Sequence, residues 1–473
     1  MRRKSAYNVF IVLGTILLTL QLLLLLSLLT RESDDSKSGD YDLEVILNVT
    51  NQLNLPVITI DSVILQRINN QIFPDELEKC ITCPATKPIN LAIEFKKLNL
   101  IKENSFISKI SDCGFLTTVL YNKLPRERIP NEEVLPICYL LKRKVTFVII
   151  ILHEREGNFW WHGDVYSDPE AEVKLQTIGS TVKDIKILEQ EGALDKFKVH
   201  PQLLPGFSSA FTVPSDISEF LDTLKDSHFK ECSWSRALQF ETKYGSTRKT
   251  PEGRWFAHRA WKILSRAKTL LDGLGVPFWI SSGTCLGYFR QCDIIPHAQD
   301  VDIGIFASDF KKQILPAFVS RGMALKHYFG HVNDSLELSF VDISSGVKLD
   351  IFFFYEGVTD EEVPWESRRI YNRKIYWNGG TQAKTGKKFK YIFPRFTLCW
   401  TEFLTLKVRI PCNTLEYILA NYGPDWFTPV TTWDWKSSPP NVRPNGEWPM
   451  SEWPHVIQVY YPEIHVVKSV HRI

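Results

Sequence analysis

Apolar residues are distributed along this chain in three patterns, and each predicts a different element. From Ser5 to Thr30 there is no charged residue, and Leu, Ile and Val dominate the run. At about 1.5 Å of rise per helical residue, such a run spans the roughly 30 Å hydrocarbon core of a bilayer. Residues 31 to 54 are rich in Ser, Asp, Lys and Asn and predict a polar stem. From Leu55 onward the apolar positions become short and regular. Val57 to Ile60 and Val145 to Leu152 read as buried strands, with a Gly/Pro break near Pro201 to Pro214. Ala260, Ile263, Leu264, Ala267, Leu270, Leu271 and Leu274 recur at helical spacing, so a helix is predicted from Trp255 to Leu274, stopped by Gly273 and Gly275. Val276 to Ile280 is continuously apolar, and Val347 to Tyr355 is apolar on both faces and rich in aromatics around Lys348 and Asp350, as expected of central strands covered on both sides.

The flanks of the first run give it a direction. Met1-Arg2-Arg3-Lys4 is basic, Leu22 to Leu26 continues unbroken, and no small-residue cleavage site follows, which predicts an uncleaved signal anchor. Basic residues before the span put the short N-terminus in the cytosol and the rest of the chain in a lumen. The organisation expected is a cytoplasmic tail (1–6), a transmembrane anchor (7–29), a stem (30–54), a first lumenal α/β domain (55–215), a linker (216–249) and a catalytic domain (250–473). Two Asn-x-Ser/Thr sequons, at Asn48 and Asn333, agree with a lumenal side. Nine cysteines in that compartment predict disulfides with at least one residue left over, and Cys80-x-x-Cys83 lacks a second pair at zinc spacing.

Composition narrows the chemistry little. With 44% hydrophobic and 23% charged residues and a net charge of +2, nothing favours nucleic acid as a partner. The first lumenal domain carries no acid cluster at catalytic spacing. His153-Glu154-Arg155-Glu156 is not H-E-x-x-H, and Trp160-Trp161-His162 reads as a packed aromatic corner. The catalytic domain differs. Asp300 and Asp302 are two apart on a predicted strand, so both carboxylates project from one face while Val301 and Ile303 pack behind them. Paired anions on an apolar strand are costly to desolvate, and a bound Mg²⁺ or Mn²⁺ offsets that cost. Asp350, on the second central strand, is the candidate third ligand; the alternative is a strand-end carboxylate paired with Lys348. Ahead of Asp300 lies Ser282-Gly283-Thr284, a turn between strand and helix whose backbone N–H groups suit a phosphate. Arg290 is a further phosphate candidate. Lys384, Lys387 and Lys388, among small residues and glycines, predict a mobile cationic loop suited to a diphosphate, with a solvated basic loop as the alternative. The Trp-rich tail, with Trp426, Trp433, Trp435, Trp448 and Trp453, reads mainly as core.

Strand, Gly-Thr turn and Asp-x-Asp, followed by a third acid, resemble the LicD-like branch of the nucleotidyltransferase superfamily. The resemblance runs through Val276 to Phe306, Asp334 to Phe340, Lys348 to Glu356, Trp377 to Phe403, Leu415 to Gly423 and Thr432 to Tyr460. It departs from bacterial relatives at His297-Ala298-Gln299, where a further acid run often stands. The fold it implies is α/β (α+β): a nucleotidyltransferase-like catalytic domain with a mixed sheet, joined to a lumenal α/β domain and an N-terminal transmembrane helix. The function it implies is transfer of ribitol 5-phosphate from CDP-ribitol to the GalNAc-bearing O-mannosyl glycan of α-dystroglycan, with release of CMP. It also implies a single-pass type II protein of the Golgi membrane, acting beside related ribitol-phosphate and O-mannose glycan transferases. Metal would sit on Asp300, Asp302 and Asp350. The residues alone leave open another phospho-alditol or phosphocholine as the group transferred, and a non-catalytic assembly role.

Overall fold

The computed structural model describes residues 18–22, 39–71, 80–82, 87–122, 135–165, 169–182, 185, 192–245, 250–366, 371–430 and 432–463. The chain divides into two compact units, with the boundary between His228 and Phe229. Both are mixed α/β. Among the described residues no helix is long and apolar enough to cross a membrane. Most of the anchor expected over 7–29 lies outside them, as does Cys83.

The first unit is built on a nine-stranded sheet. Its strands are β1 (Ile58–Thr59), β2 (Ile89–Glu94), β3 (Leu116–Asn122), β4 (Leu135–Lys142), β5 (Thr146–Arg155), β6 (Phe159–His162), β7 (Gly192–Asp195), β8 (Val199–Gln202) and β9 (Phe211–Pro214). They run in the order β3-β4-β5-β2-β1-β9-β8, with β6 joining β5 to β7. Helices α1 (39–52), α2 (Ser62–Asn69), α3 (Leu100–Asp112), α4 (Pro169–Thr177) and α5 (Ile217–Lys225) complete it. Two expectations are corrected. Residues 39–52 are not polar stem, because Leu43, Ile46 and Leu47 recur at helical spacing and are buried in the core of this unit. Residues 217–225, expected in a linker, form an amphipathic helix that buries Ile217, Phe220 and Leu221. Trp160, Trp161 and His162 are all buried on β6.

In the second unit the long helix forms where its periodicity placed it. α7 (Pro251–Gly273) starts at Thr250, whose side chain accepts from the Gly253 N–H, with Pro251 in the first turn, and it buries Ala260, Ile263, Leu264, Ala267 and Leu271. The other helices are α6 (Trp234–Tyr244), α8 (Ser282–Gln291), α9 (Ile314–Val319), α10 (Thr414–Tyr422) and α11 (Trp453–Val456). They pack around an eleven-stranded mixed sheet. Its strands are β10 (Trp279–Ile280), β11 (Asp300–Phe306), β12 (Met323–His331), β13 (Asp334–Asp342), β14 (Lys348–Thr359), β15 (Arg373–Gln382), β16 (Lys387–Pro394), β17 (Leu398–Phe403), β18 (Leu406–Pro411), β19 (Val442–Glu447) and β20 (Ile457–Val459). The main order is β17-β18-β10-β11-β14-β13-β12-β20, and β15, β16 and β19 continue from the far end of β14. Disulfides Cys232–Cys292 and Cys399–Cys412 tie this unit together, Cys80 is also disulfide-bonded, and Cys113, Cys138 and Cys285 are free.

Candidate active site

The site begins at the centre of the second sheet, where β11 and β14 run parallel. Asp302 lies opposite Asp350, and Asp300 opposite Lys348. Alternation sends Val301, Ile303, Leu349 and Ile351 to fully buried positions on the other face. One carboxylate oxygen from each of Asp300, Asp302 and Asp350 lies within 4.8 Å of the others. The three acids singled out from sequence therefore converge.

Their environment makes that convergence expensive. Burial pushes the Asp302 carboxyl well above its ordinary range, and the charges of Asp300 and Asp350 add to the shift. Asp300 is raised as well, chiefly by burial, with Lys348 opposing and Asp350 reinforcing. Lys348, which offered the alternative explanation for Asp350, is part of the same cluster. Its Nζ stands 3.2 Å from Asp300 Oδ2 and 3.2 Å from Asp350 Oδ2. Burial lowers the lysine's pKa, but the two carboxylates outweigh it and hold the ammonium charged. The Ser339 hydroxyl donates to Asp350. With all three acids ionised, the carboxylates and the one ammonium would carry −2, and the converging oxygens are hard donors, so these residues fit a divalent cation of the Mg²⁺ or Mn²⁺ type.

The Gly-Thr turn proves to support Asp302. The Gly283 N–H donates to Asp302 Oδ2 at 3.0 Å, and Thr284 Oγ1 accepts from the Asp302 N–H at 2.8 Å. Gly283 faces the cavity, whereas Thr284 is buried beside the strand. A Cβ on Gly283 would sit 3.3 Å from Asp302 Oδ2, a tight contact that favours glycine there.

Above the acids opens a cavity of about 720 Å³. Arg290 lines it from α8, and Tyr422, Trp426, Trp433 and Trp435 contribute aromatic wall. The tail is thus cavity wall in part, while Trp448 is buried and Trp453 bonds the Trp448 carbonyl. His327, Phe329 and Glu337 line the opposite floor, and Asn378, Gly379, Gly380 and Thr381 enter from β15. Ser339, His327 and Glu337 were not singled out from sequence; the signal for them is cross-strand register, which no local motif carries.

The lysines belong elsewhere. β15 and β16 pair from Ile375–Pro394 through Gln382–Lys387, so the expected mobile loop is a hairpin with a four-residue turn. Lys384 and Lys387 are exposed there, and Lys388 is held 2.7 Å from Asp334 with its ammonium 4.1 Å from the Trp448 ring centroid. None of the three lines the cavity. Of the sequons, Asn48 is exposed on α1 and accepts from Ser209 Oγ at 2.5 Å, and Asn333 is exposed in the β12–β13 turn.

The chain has relatives in keeping with this geometry. A model described as "LicD/FKTN/FKRP, nucleotidyltransferase domain" matches residues 275–413, and one described as "Fukutin N-terminal" matches residues 29–260. Ribitol-5-phosphate transferase FKTN of Homo sapiens is 41% identical over 425 residues, covering 87% of this chain and 86% of the relative. The protein of the same name from Mus musculus is 40% identical over 424 residues with the same coverage. An uncharacterized protein of Caenorhabditis elegans is 30% identical over 256 residues, 52% of this chain and 60% of its own.

Proposed function

Because the chain belongs to the fukutin family of LicD-type nucleotidyltransferases, we propose that it transfers ribitol 5-phosphate from CDP-ribitol to a glycan hydroxyl and releases CMP. The acceptor in this reading is the GalNAc-bearing O-mannosyl glycan of α-dystroglycan, and the place is the lumenal face of the Golgi membrane. The observation that carries the reading is the convergence of Asp300, Asp302 and Asp350 under one cavity, within the stretch that matches the nucleotidyltransferase model.

The chemistry follows from charge. A divalent ion held by Asp300, Asp302 and Asp350 would supply Lewis-acid neutralisation of the diphosphate. Lys348 keeps two of those carboxylates at fixed separation and holds part of their charge in check before substrate arrives. Ser339 orients Asp350, and Gly283 and Thr284 orient Asp302. The acceptor hydroxyl oxygen forms a bond to the ribitol-bearing phosphorus as the bond from that phosphorus to the bridging oxygen breaks. CMP departs with the electron pair, and the hydroxyl proton passes to the Asp350 carboxylate. A pure assembly factor has no physical need for three converging acids held in mutual repulsion.

The test is a donor panel. The purified chain is incubated with an O-mannosyl glycan acceptor and CDP-ribitol, CDP-glycerol or CDP-choline, and the product is weighed. The reading predicts the ribitol-phosphate mass increment and a requirement for divalent metal; an increment only from CDP-choline would redirect the donor assignment.

A further inference from the structure

We propose that the acid triad divides the cavity into two halves: a nucleotide-phosphate half on the α8 side, anchored by Arg290, and an acceptor-sugar half on the β12–β13 side, built on His327, Glu337 and Phe329. The proposal rests on the phosphotransfer reading above and assigns the two substrates to opposite flanks of the same site.

Topology sets the two flanks apart. The sheet runs β10-β11-β14-β13-β12, and α8 follows β10 directly and packs on β11. Across the strands the register forms a row, Asp302 opposite Asp350, Asp350 opposite Ser339, and Ser339 opposite His327. With strands about 4.8 Å apart, His327 is two strands, roughly 10 Å, from the strand of Asp350 and on the side away from α8. An in-line displacement needs attacking and leaving oxygens on opposite sides of phosphorus, so donor and acceptor must approach the triad from different flanks.

Charge says which flank is which. Arg290 is only 4% exposed, lines the cavity and has no ion pair with a carboxylate among the described residues. Its Nη2 donates to the neutral Gln291 amide at 3.0 Å, its guanidinium carbon stands 4.5 Å from the Phe240 ring centroid, and its Nε is buried with no hydrogen-bond partner. A buried cation without an anion is costly, and a ligand phosphate supplies the missing charge in the forked geometry that guanidinium suits. Burial lowers its pKa to about 10, which still leaves it charged at neutral pH. Beside it the rings of Tyr422 and Trp433 lie 5.1 Å apart and offer a face to a nucleobase.

The other flank carries a carboxylate and an imidazole in place of a guanidinium. His327 Nε2 lies 3.0 Å from Glu337 Oε1, and the imidazole stacks on Phe329 at 4.2 Å and 8°. Tyr391 also lines the cavity, its hydroxyl donating to the Trp435 carbonyl at 2.8 Å. A carboxylate, an imidazole and a flat ring match a neutral polyhydroxylated ring, through hydroxyl hydrogen bonds and C–H contact with an aromatic face.

The experiment uses the full chain in detergent and reads each half separately. Calorimetric titration with CMP should show at least tenfold weaker binding for Arg290→Gln and binding within twofold of wild type for Glu337→Gln. Two-substrate kinetics should show Glu337→Gln raising the acceptor KM at least fivefold with the donor KM within twofold. If Arg290→Gln does not fold, Arg290→Lys keeps the charge, loses the fork and should still weaken CMP. Wild-type CMP affinity in a folded Arg290 variant, or equal effects of Glu337→Gln on both KM values, would overturn the division. Failure of the wild type to transfer at all would instead count against the phosphotransfer reading. In that event CMP titration and saturation-transfer NMR with methyl N-acetylgalactosaminide still decide the division, through selective losses in Arg290→Gln and Glu337→Gln respectively.

Discussion

At the scale of single residues, the site is defined by buried and half-buried charges that compensate one another. Lys348 compensates Asp300 and Asp350, so Lys348→Met should destabilise the metal-free protein. The expected cost is about 2–3 kcal/mol, below the range for a fully buried pair because the Lys348 side chain is 31% exposed. The same variant should show a larger rise in thermal midpoint with added Mg²⁺ or Mn²⁺ than wild type, since no ammonium then competes with the metal for the carboxylates. His162 offers a test away from the site. Burial, partly offset by the Gly163 carbonyl, lowers its pKa to about 4. The unfolded chain binds that proton near pH 6.5 and the native state does not, so the stability is fully present above pH 6.5 and is lost as pH falls towards 4. The loss should reach roughly 3 kcal/mol, and His162→Asn should flatten the melting profile of the wild type over that window. Asp300 and Asp302 were legible from sequence because a spacing of two on a strand fixes a shared face. Asp350 could be read only as an acid on a second strand, and whether it met the triad or a lysine was not decidable from spacing. The structure answers that both are true.

At the scale of elements, pairing decides what composition cannot. Lys384, Lys387 and Lys388 among glycines read as a loop for diphosphate, yet Thr381 pairs with Lys388 and Gln382 with Lys387, which turns the segment into a hairpin with these lysines outside the cavity. Replacing Lys384 and Lys387 together with Ala should therefore leave the donor KM within about twofold of wild type, because exposed charges at that remove are screened. A large rise in donor KM would return them to the site. β11 makes the opposite case, where a small residue is required. A Cβ at Gly304 would collide with the Trp279 indole, which packs between Phe306, Phe354 and Phe396. Gly304→Ala should cost about 1–3 kcal/mol by overpacking, with reduced transfer because the displaced strand carries Asp300 and Asp302; a denaturation midpoint equal to wild type would refute this. Helix α7 was readable because seven apolar positions recur at one period. Helix α1 was not, because its polar composition over 39–52 masked Leu43, Ile46 and Leu47.

At the scale of the whole molecule, two compact mixed α/β units accompany a basic N-terminus and a long uncharged run, and the proposal that this run is a retained anchor has its own consequence. The mature protein should begin at Met1 and fractionate with Golgi membranes, and recovery from cells of a soluble form starting after Thr30 would contradict it. The strand, turn and Asp-x-Asp order made the catalytic unit legible. The boundary was less so, because a linker expected over 216–249 is largely occupied by α5 and α6. The assignment as a whole stands on the triad, and the most direct measurement is the rate of ribitol-phosphate transfer by Asp300→Asn, Asp302→Asn and Asp350→Asn, each checked for an intact melting transition. Each substitution keeps the size and removes the charge, so transfer should fall by roughly 100-fold or more, and because the three act as a unit a double variant should lose little beyond its worse single. A folded Asp350→Asn that retains near wild-type, metal-dependent transfer would contradict the account and leave Lys348 as the reason for that carboxylate.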